Sequence, residues 1–239
     1  LTAVLDFDEN RCLVMVTKNG KTKKVDLDLF SKIRRTGIIF ATVQPEDQVV
    51  RVKLCEPGNH VFIATKMGYA IHFLEKELRS TGRTAMGVKG ITLRSGDEVV
   101  DLVVDQSECN IITITKDGYG KHSALKRYRL THRAGKGVIN IKFYEPADEV
   151  ISVKSINQNM NLLLASLHGI IIRIRSKEIR ETGRAAKGVI VMRLDEGDQV
   201  TSVALCEPDE TKDEMNEKDE TNEKDEMNDN YINHTKKTD

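Results

Sequence analysis

The chain has 239 residues, of which 39% are hydrophobic and 31% charged, enough to bury a core in one or two domains. Its 37 basic and 37 acidic residues cancel overall, but residues 207–239 hold 13 acids and 5 bases, which leaves 1–206 with a net charge of +8. No apolar run approaches the ~18 residues of a bilayer span, no signal peptide is visible, and a basic body with an acidic tail points towards nucleic acid. Four cysteines (Cys12, Cys55, Cys109 and Cys206) show neither CxxC pairing nor a histidine at zinc-ligand spacing, so reduced core residues of a cytoplasmic protein are expected. No phosphate loop, nucleophile elbow or metalloprotease motif occurs, and no catalytic residue or metal ligand is assigned. His72, His122 and His168 lie near turns, where solvated histidines are expected.

The chain reads modulo a fixed period. Gly37, Gly87, Gly137 and Gly188 stand 50, 50 and 51 residues apart, each beside a basic segment such as Arg133-Ala134-Gly135-Lys136-Gly137. A period of this size marks a supersecondary unit copied several times. Leu1–Leu5 resembles a closing strand with no blade of its own, and the missing initial methionine points to an N-terminally truncated fragment. Each repeat then opens with a short apolar run: 12–16, 61–64, 111–114 and 162–165. Runs of this length ended by a turn suit strands covered on both faces. The turns are Thr17-Lys18-Asn19-Gly20, Thr65-Lys66-Met67-Gly68, Thr115-Lys116-Asp117-Gly118 and Ser166-Leu167-His168-Gly169, which predict hairpins.

Ten residues after each turn glycine comes one apolar anchor, Phe30, Leu78, Tyr128 or Ile179, in a charged setting that predicts a loop or short helical turn. The glycine-basic segment follows, then a strand that alternates Ile139, Ile141 and Phe143 inward with Asn140 and Lys142 outward. Ile190, Met192 and Leu194 repeat that inward face, with Arg193 outward. An acidic turn at Asp47, Asp97, Asp148 and Asp198 leads to the last strand, 49–54, 99–104, 150–155 or 200–205. Four strands per repeat and no amphipathic helix predict an all-β, propeller-like array of blades at about 11–55, 60–105, 110–155 and 161–206. The hexapeptide run from Lys212 to Asp229 has too little apolar surface to fold, so 207–239 is expected to be a disordered acidic tail that competes with DNA for the basic body.

Registered repeats make the basic positions add. Arg83, Arg133 and Arg184 occupy one place in three repeats. Lys136 and Lys187 coincide just before the anchoring glycine, and the first repeat offers Arg34 and Arg35 nearby. Beside them Gly135 and Gly137 leave N–H groups open to phosphate oxygens. A basic track almost without aromatic residues suits duplex DNA held by its backbone and bent. Lys66 and Lys116 in the hairpin turns, with Lys18 their counterpart, and the strand residues Lys121, Lys142, Arg173 and Arg193 are secondary DNA-binding candidates. A protein-binding propeller scaffold is the competing reading from composition and period.

The Thr115-Lys116-Asp117-Gly118-Tyr119-Gly120 turn, the Gly-Val-Ile strand starts and the acidic tail resemble the C-terminal domain of the DNA gyrase A subunit. The resemblance runs blade after blade over residues 1–206. It implies a β-pinwheel, a propeller-like ring with altered strand connectivity whose basic perimeter wraps double-stranded DNA. It implies a non-catalytic role in ATP-dependent negative supercoiling by a type IIA topoisomerase. The catalytic tyrosine would lie upstream and ATP and Mg2+ would be used elsewhere, so no cofactor is expected in this segment. The implied partners are the ATPase subunit and the upstream catalytic core of the same polypeptide, in a heterotetramer. The family's Gln-Arg-Arg-Gly-Gly-Lys-Gly box has no intact copy; Thr131-His132-Arg133-Ala134-Gly135-Lys136-Gly137 agrees with it at Arg133, Gly135, Lys136 and Gly137. The DNA-bending domain of the related topoisomerase IV subunit, which lacks an intact box, stays open as an alternative.

Overall fold

The computed structural model describes residues 10–33, 35–156 and 160–207. The chain divides after Leu205 into two compact units, and of the second, 206–239, only Cys206 and Glu207 are described. The expected strand at 1–5, Arg34 and the acidic segment from 208 onwards therefore lie outside the described residues. Among the described residues there are strands and short 3-10 turns but no α-helix, so none is long and apolar enough to cross a membrane.

The strands form four antiparallel sheets. The first contains β1 (Cys12–Thr17), β2 (Lys21–Asp26), β3 (Val49–Cys55) and β6 (Val88–Lys89), in the order β3-β1-β2-β6. The second contains β4 (His60–Thr65), β5 (Tyr69–Leu74), β7 (Val99–Asp105) and β10 (Val138–Ile139), in the order β10-β5-β4-β7. The third contains β8 (Asn110–Thr115), β9 (Tyr119–Ala124), β11 (Val150–Ile156) and β14 (Val189–Ile190), in the order β11-β8-β9-β14. The fourth, β12 (Asn161–Ser166), β13 (Ile171–Arg175) and β15 (Val200–Cys206), has three strands among the described residues. The first strand of each repeat is central, which explains its unbroken apolar composition.

The hairpin turns are held twice. The hydroxyl of Thr17, Thr65, Thr115 or Ser166 accepts the N–H of the residue after the turn glycine, at 3.1, 3.2, 3.2 and 3.3 Å. One carboxylate oxygen of Asp47, Asp97, Asp148 or Asp198 accepts an N–H from the same turn at 2.9 to 3.0 Å. The recurring aspartate thus clamps the hairpin of its own repeat. The anchors Phe30, Leu78, Tyr128 and Ile179 are buried at or just after the 3-10 turns Leu27–Phe30, Glu75–Glu77, Leu125–Arg127 and Ser176–Glu178. Burying one such side chain contributes about 1.5 to 3 kcal/mol, which fixes where the chain leaves the sheet.

The connectivity after the anchors departs from a simple blade. The strand following the glycine segment does not complete its own sheet: β6 pairs with β2, β10 with β5 and β14 with β9, so the second, third and fourth repeats each lend this strand to the preceding one. The exchange requires close backbone contact. Gly87, Gly137 and Gly188 have positive φ, and a Cβ on them would lie 2.6, 2.5 and 2.7 Å from the carbonyl oxygens of Thr22, Ala70 and Gly120.

The lent strands pair over two residues only, and two orientations expected from alternation are corrected. Asn140 is fully buried, accepting the Tyr128 hydroxyl at 2.6 Å and donating to the Thr113 hydroxyl at 3.0 Å, whereas Ile190 is exposed. The chain leaves strand geometry at that point, so a two-residue period no longer applies. The core lies between consecutive sheets. Val14, Ile63, Ile71 and Leu102 join the first two; Phe62, Ile111, Tyr128 and Val153 join the second to the third; Ile112, Leu162, Met192 and Val203 join the third to the fourth. All four cysteines are free thiols.

Candidate nucleic-acid interface

The glycine-basic loops sit where one repeat crosses to the sheet of the one before. Each crossing starts with a threonine: the N–H groups of Thr81, Thr131 and Thr182 donate to the carbonyls of Lys24, His72 and His122 at 3.0, 2.9 and 2.9 Å. The anchoring glycine ends it, with loops 81–87, 131–137 and 182–188 between.

The arginines join successive crossings. The Arg133 guanidinium donates to the carbonyl of Lys89, on the strand lent by the previous repeat, at 3.1 Å. Arg184 does the same one repeat later, donating to the Ile139 carbonyl at 2.8 Å. In the opposite direction, Arg94 donates to the Lys136 carbonyl at 2.8 Å while its guanidinium lies 3.3 Å above the Tyr69 ring. The Lys187 ammonium lies 4.5 Å from the centre of the Tyr144 ring, which stacks on Tyr119. One junction therefore gathers Lys89, Arg94, Arg133 and Lys136, and the next gathers Arg184 and Lys187. Lys136 and Lys187 are exposed, and the three loop arginines are half-buried. Arg35 is exposed in the first repeat. Gly135 is exposed and Gly137 half-buried in the third loop.

Lys89 and Arg94 are absent from the sequence-based candidates. Both belong to the lent strand or its continuation, so only knowledge of the exchange places them beside Arg133 and Lys136. Lys142, Arg173 and Arg193 are exposed on strands or their continuations.

Lys121 does not face outwards. It is fully buried, and its ammonium donates to the Ser123 hydroxyl at 2.9 Å and to the carbonyls of Arg184 and Gly183 at 2.8 and 3.3 Å. Burial, with a smaller contribution from Arg184, pushes its pKa down from 10.5 to about 7. Lys121 is thus a latch beneath the fourth loop, closed to any phosphate. Lys23 occupies the same position in the first sheet, donating to the carbonyls of Arg83 and Phe40. The second sheet has Ile71 there, and a cavity of about 560 Å³ lies against the third loop, lined by Ile71, Arg129, His132, Arg133 and Lys136 among others.

The turn lysines are paired. Lys18 meets Glu98 at 2.7 Å, Lys66 meets Glu149 at 2.8 Å and Glu98 at 3.6 Å, and Lys116 lies 3.9 Å from Glu149. They form an alternating ladder between repeats in which the carboxylates offset the charge that Lys66 and Lys116 would offer to DNA. His72 is not solvated either. It is buried against His60 at 2.7 Å and the Tyr128 carbonyl at 2.9 Å, and burial pushes the pKa values of both histidines down. Among the described residues no cluster of His, Cys, Asp and Glu could hold a metal.

The family described as "DNA gyrase C-terminal domain, beta-propeller" matches residues 13–56, 59–104, 110–157 and 161–207, one segment per repeat. The chain belongs to this family. Among curated relatives, the DNA gyrase A subunit of Halalkalibacterium halodurans is 49% identical over 199 residues, 83% of this chain and 24% of the relative. Its Clostridium acetobutylicum counterpart is 36% identical over 210 residues, 88% of this chain and 25% of the relative. The chain thus spans about a quarter of the length of the relatives it matches. Among solved structures, the C-terminal domain of DNA topoisomerase IV superposes with a TM-score of 0.79 at 28% identity, over 85% of this chain and 64% of that one. A DNA gyrase A C-terminal domain superposes with a TM-score of 0.76 at 24% identity, over 84% and 68%, which bears on the fold alone.

Proposed function

We propose that this chain binds duplex DNA by its phosphate backbone, without catalysing a reaction, and that it serves as the wrapping domain of a gyrase A protein. The observation that carries the reading is the linkage of successive loops through Arg133 to the Lys89 carbonyl and Arg184 to the Ile139 carbonyl. In this reading Arg83, Arg133, Lys136, Arg184 and Lys187 form one row, joined by Arg35 of the first repeat and by the N–H groups of Gly135 and Gly137. Lys89, Arg94, Lys142 and Arg193 flank the row. A polyanion can follow it from repeat to repeat, releasing a counterion at each contact. In the longer protein, the upstream catalytic core of the same polypeptide and a separate ATPase subunit would be the partners, with ATP and Mg2+ acting there and DNA held here without a cofactor. A cytoplasmic location follows from the same reading.

Fluorescence anisotropy with a labelled duplex tests this. Affinity should fall steeply with salt, and replacing Arg133, Lys136, Arg184 and Lys187 together by alanine should flatten the log–log slope by about 3 to 4, at about 0.9 per phosphate contact. An unchanged slope in a folded variant overturns the site, and salt-indifferent retention favours a protein-binding scaffold. The 28% identity to the topoisomerase IV C-terminal domain, at a TM-score of 0.79, supports a second reading, in which DNA is bent but not wrapped. Relaxing plasmid in the presence of the chain separates the two: chiral wrapping shifts the linking-number distribution, whereas bending leaves it in place.

A further inference from the structure

Loops 81–87, 131–137 and 182–188 are built alike but sealed differently. In the second and fourth repeats, the N–H groups of Ala85 and Ala186 close a turn onto the carbonyls of Gly82 and Gly183, at 3.2 and 3.1 Å. Beneath these two loops the ammonium groups of Lys23 and Lys121 donate to loop carbonyls. The third loop has neither seal. Ala134 is the one non-glycine residue with positive φ among the described residues, at 65°, and its N–H donates to the Gly90 carbonyl at 2.6 Å. That conformation strains an alanine, and it leaves the turn open. The Gly135 N–H, counterpart of those of Ala85 and Ala186, has no acceptor among the described residues.

The absent latch leaves room. Ile71 stands in place of the lysine, and the cavity of about 560 Å³ under the third loop falls within the range of about 300 to 1,000 Å³ typical of small-molecule sites. Its floor is apolar, made by the buried Ala70 and Ile71 together with Val138. Its rim is cationic, made by Arg129, Arg133 and Lys136. Arg129 and Lys136 are exposed, and neither side chain is ion-paired among the described residues. Arg133 gives one guanidinium nitrogen to the Lys89 carbonyl and keeps its other N–H groups. His132 also lines the cavity but meets Glu77 at 2.9 Å, so that pair offsets its own charge. A duplex can touch the exposed rim, whereas Ala70 and Ile71 lie too deep for its backbone.

We propose that this cavity binds a small organic phosphate of the nucleoside phosphate class. Arg129, Arg133, Lys136 and the Gly135 N–H hold the phosphate oxygens, and Ala70, Ile71 and Val138 take the organic body. The site does not depend on duplex binding by the basic row, although its occupancy would withdraw Arg133 and Lys136 from that row.

Isothermal titration calorimetry of the full chain with ADP at low salt, without DNA or Mg2+, tests the proposal. One ADP should bind per chain, at least about tenfold tighter than inorganic pyrophosphate, which carries the charge without the organic body. Ile71→Lys restores the latch of the neighbouring sheets and fills the cavity, so ADP binding should vanish. Ile71 also packs in the core, so a surface variant is needed beside it. Arg129→Ala removes one charge-assisted contact and should weaken ADP about tenfold or more. Arg79 and Arg180 hold the same place beside the two sealed loops, and alanine at either should change nothing. Absence of saturable binding up to about 1 mM ADP, or equal affinity for pyrophosphate, overturns the proposal. So do equal losses in the three arginine variants, or ADP binding retained by folded Ile71→Lys. A chain that binds duplex but not ADP loses this site and keeps the row.

Discussion

Replacing Lys121 with methionine isolates the latch beneath the fourth loop. The lysine is fully buried, has no carboxylate partner and is held by the Ser123 hydroxyl and two carbonyls. Its pKa falls from 10.5 in the unfolded chain to about 7 in the fold. Between those values the unfolded state binds more protons than the folded state, so stability must rise with pH across that window. At about 1.4 kcal/mol per pH unit, the gain from pH of about 7 to about 9.5 is about 3 kcal/mol. Methionine has a similar length and does not titrate, so the variant lacks this gain. Urea unfolding of both proteins at the two pH values yields a double difference in which every shared titration, including that of Lys23, cancels. The gap between wild type and variant should widen by about 3 kcal/mol towards alkaline pH. Parallel stability curves would show that Lys121 is hydrated in solution and would refute the latch.

Asp101→Asn should be among the costliest single changes. Against the penalty of full burial, Lys154 and Arg51 hold this carboxyl below its ordinary range, with contacts at 2.9 and 2.8 Å that tie β3, β7 and β11 together. Loss of one member of such a buried cluster costs about 3 kcal/mol, readable by urea unfolding at neutral pH, and the wild type should lose the same term as pH falls below about 4. Gly118→Ala should destabilise more than Gly169→Ala by about 2 kcal/mol in thermal unfolding. Both have positive φ, but only at Gly118 would the new Cβ strike a backbone oxygen, that of Met192.

Most of the fold is written in the period. The turn glycines, the apolar runs and the four anchors each carry a local signal, and each sits where that signal places it. What the period conceals is the sheet to which a strand belongs. Val138 and Ile139 look like the third strand of their own repeat, and nothing within ten residues says that they pair with Ala70 and Tyr69 instead. The same gap explains the site. Arg133 and Lys136 are visible because they recur, whereas Lys89 and Arg94 join them only through the exchange. Lys121 reads as a surface strand residue because burial of an ammonium depends on carbonyls 62 and 63 residues away. The recurring aspartates were legible as turn residues but not as clamps, since the N–H groups they accept lie 28 to 31 residues earlier.

Strand exchange also ties the binding row to the stability of the fold, and the two roles separate at neighbouring residues. The Arg133 guanidinium holds the Lys89 carbonyl, so Arg133→Ala should remove both the proposed phosphate contact and a link between successive loops, the link worth about 1 kcal/mol. The Lys136 side chain is exposed, and only its backbone carbonyl is used, by Arg94. Lys136→Ala should therefore weaken DNA binding and lower the salt slope by about one contact while leaving the urea midpoint unchanged. Arg133→Ala should move both. If the two variants lost affinity equally with neither losing stability, the arginine would be a phosphate contact alone, and the continuity of the row would need another cause than the guanidinium bridges.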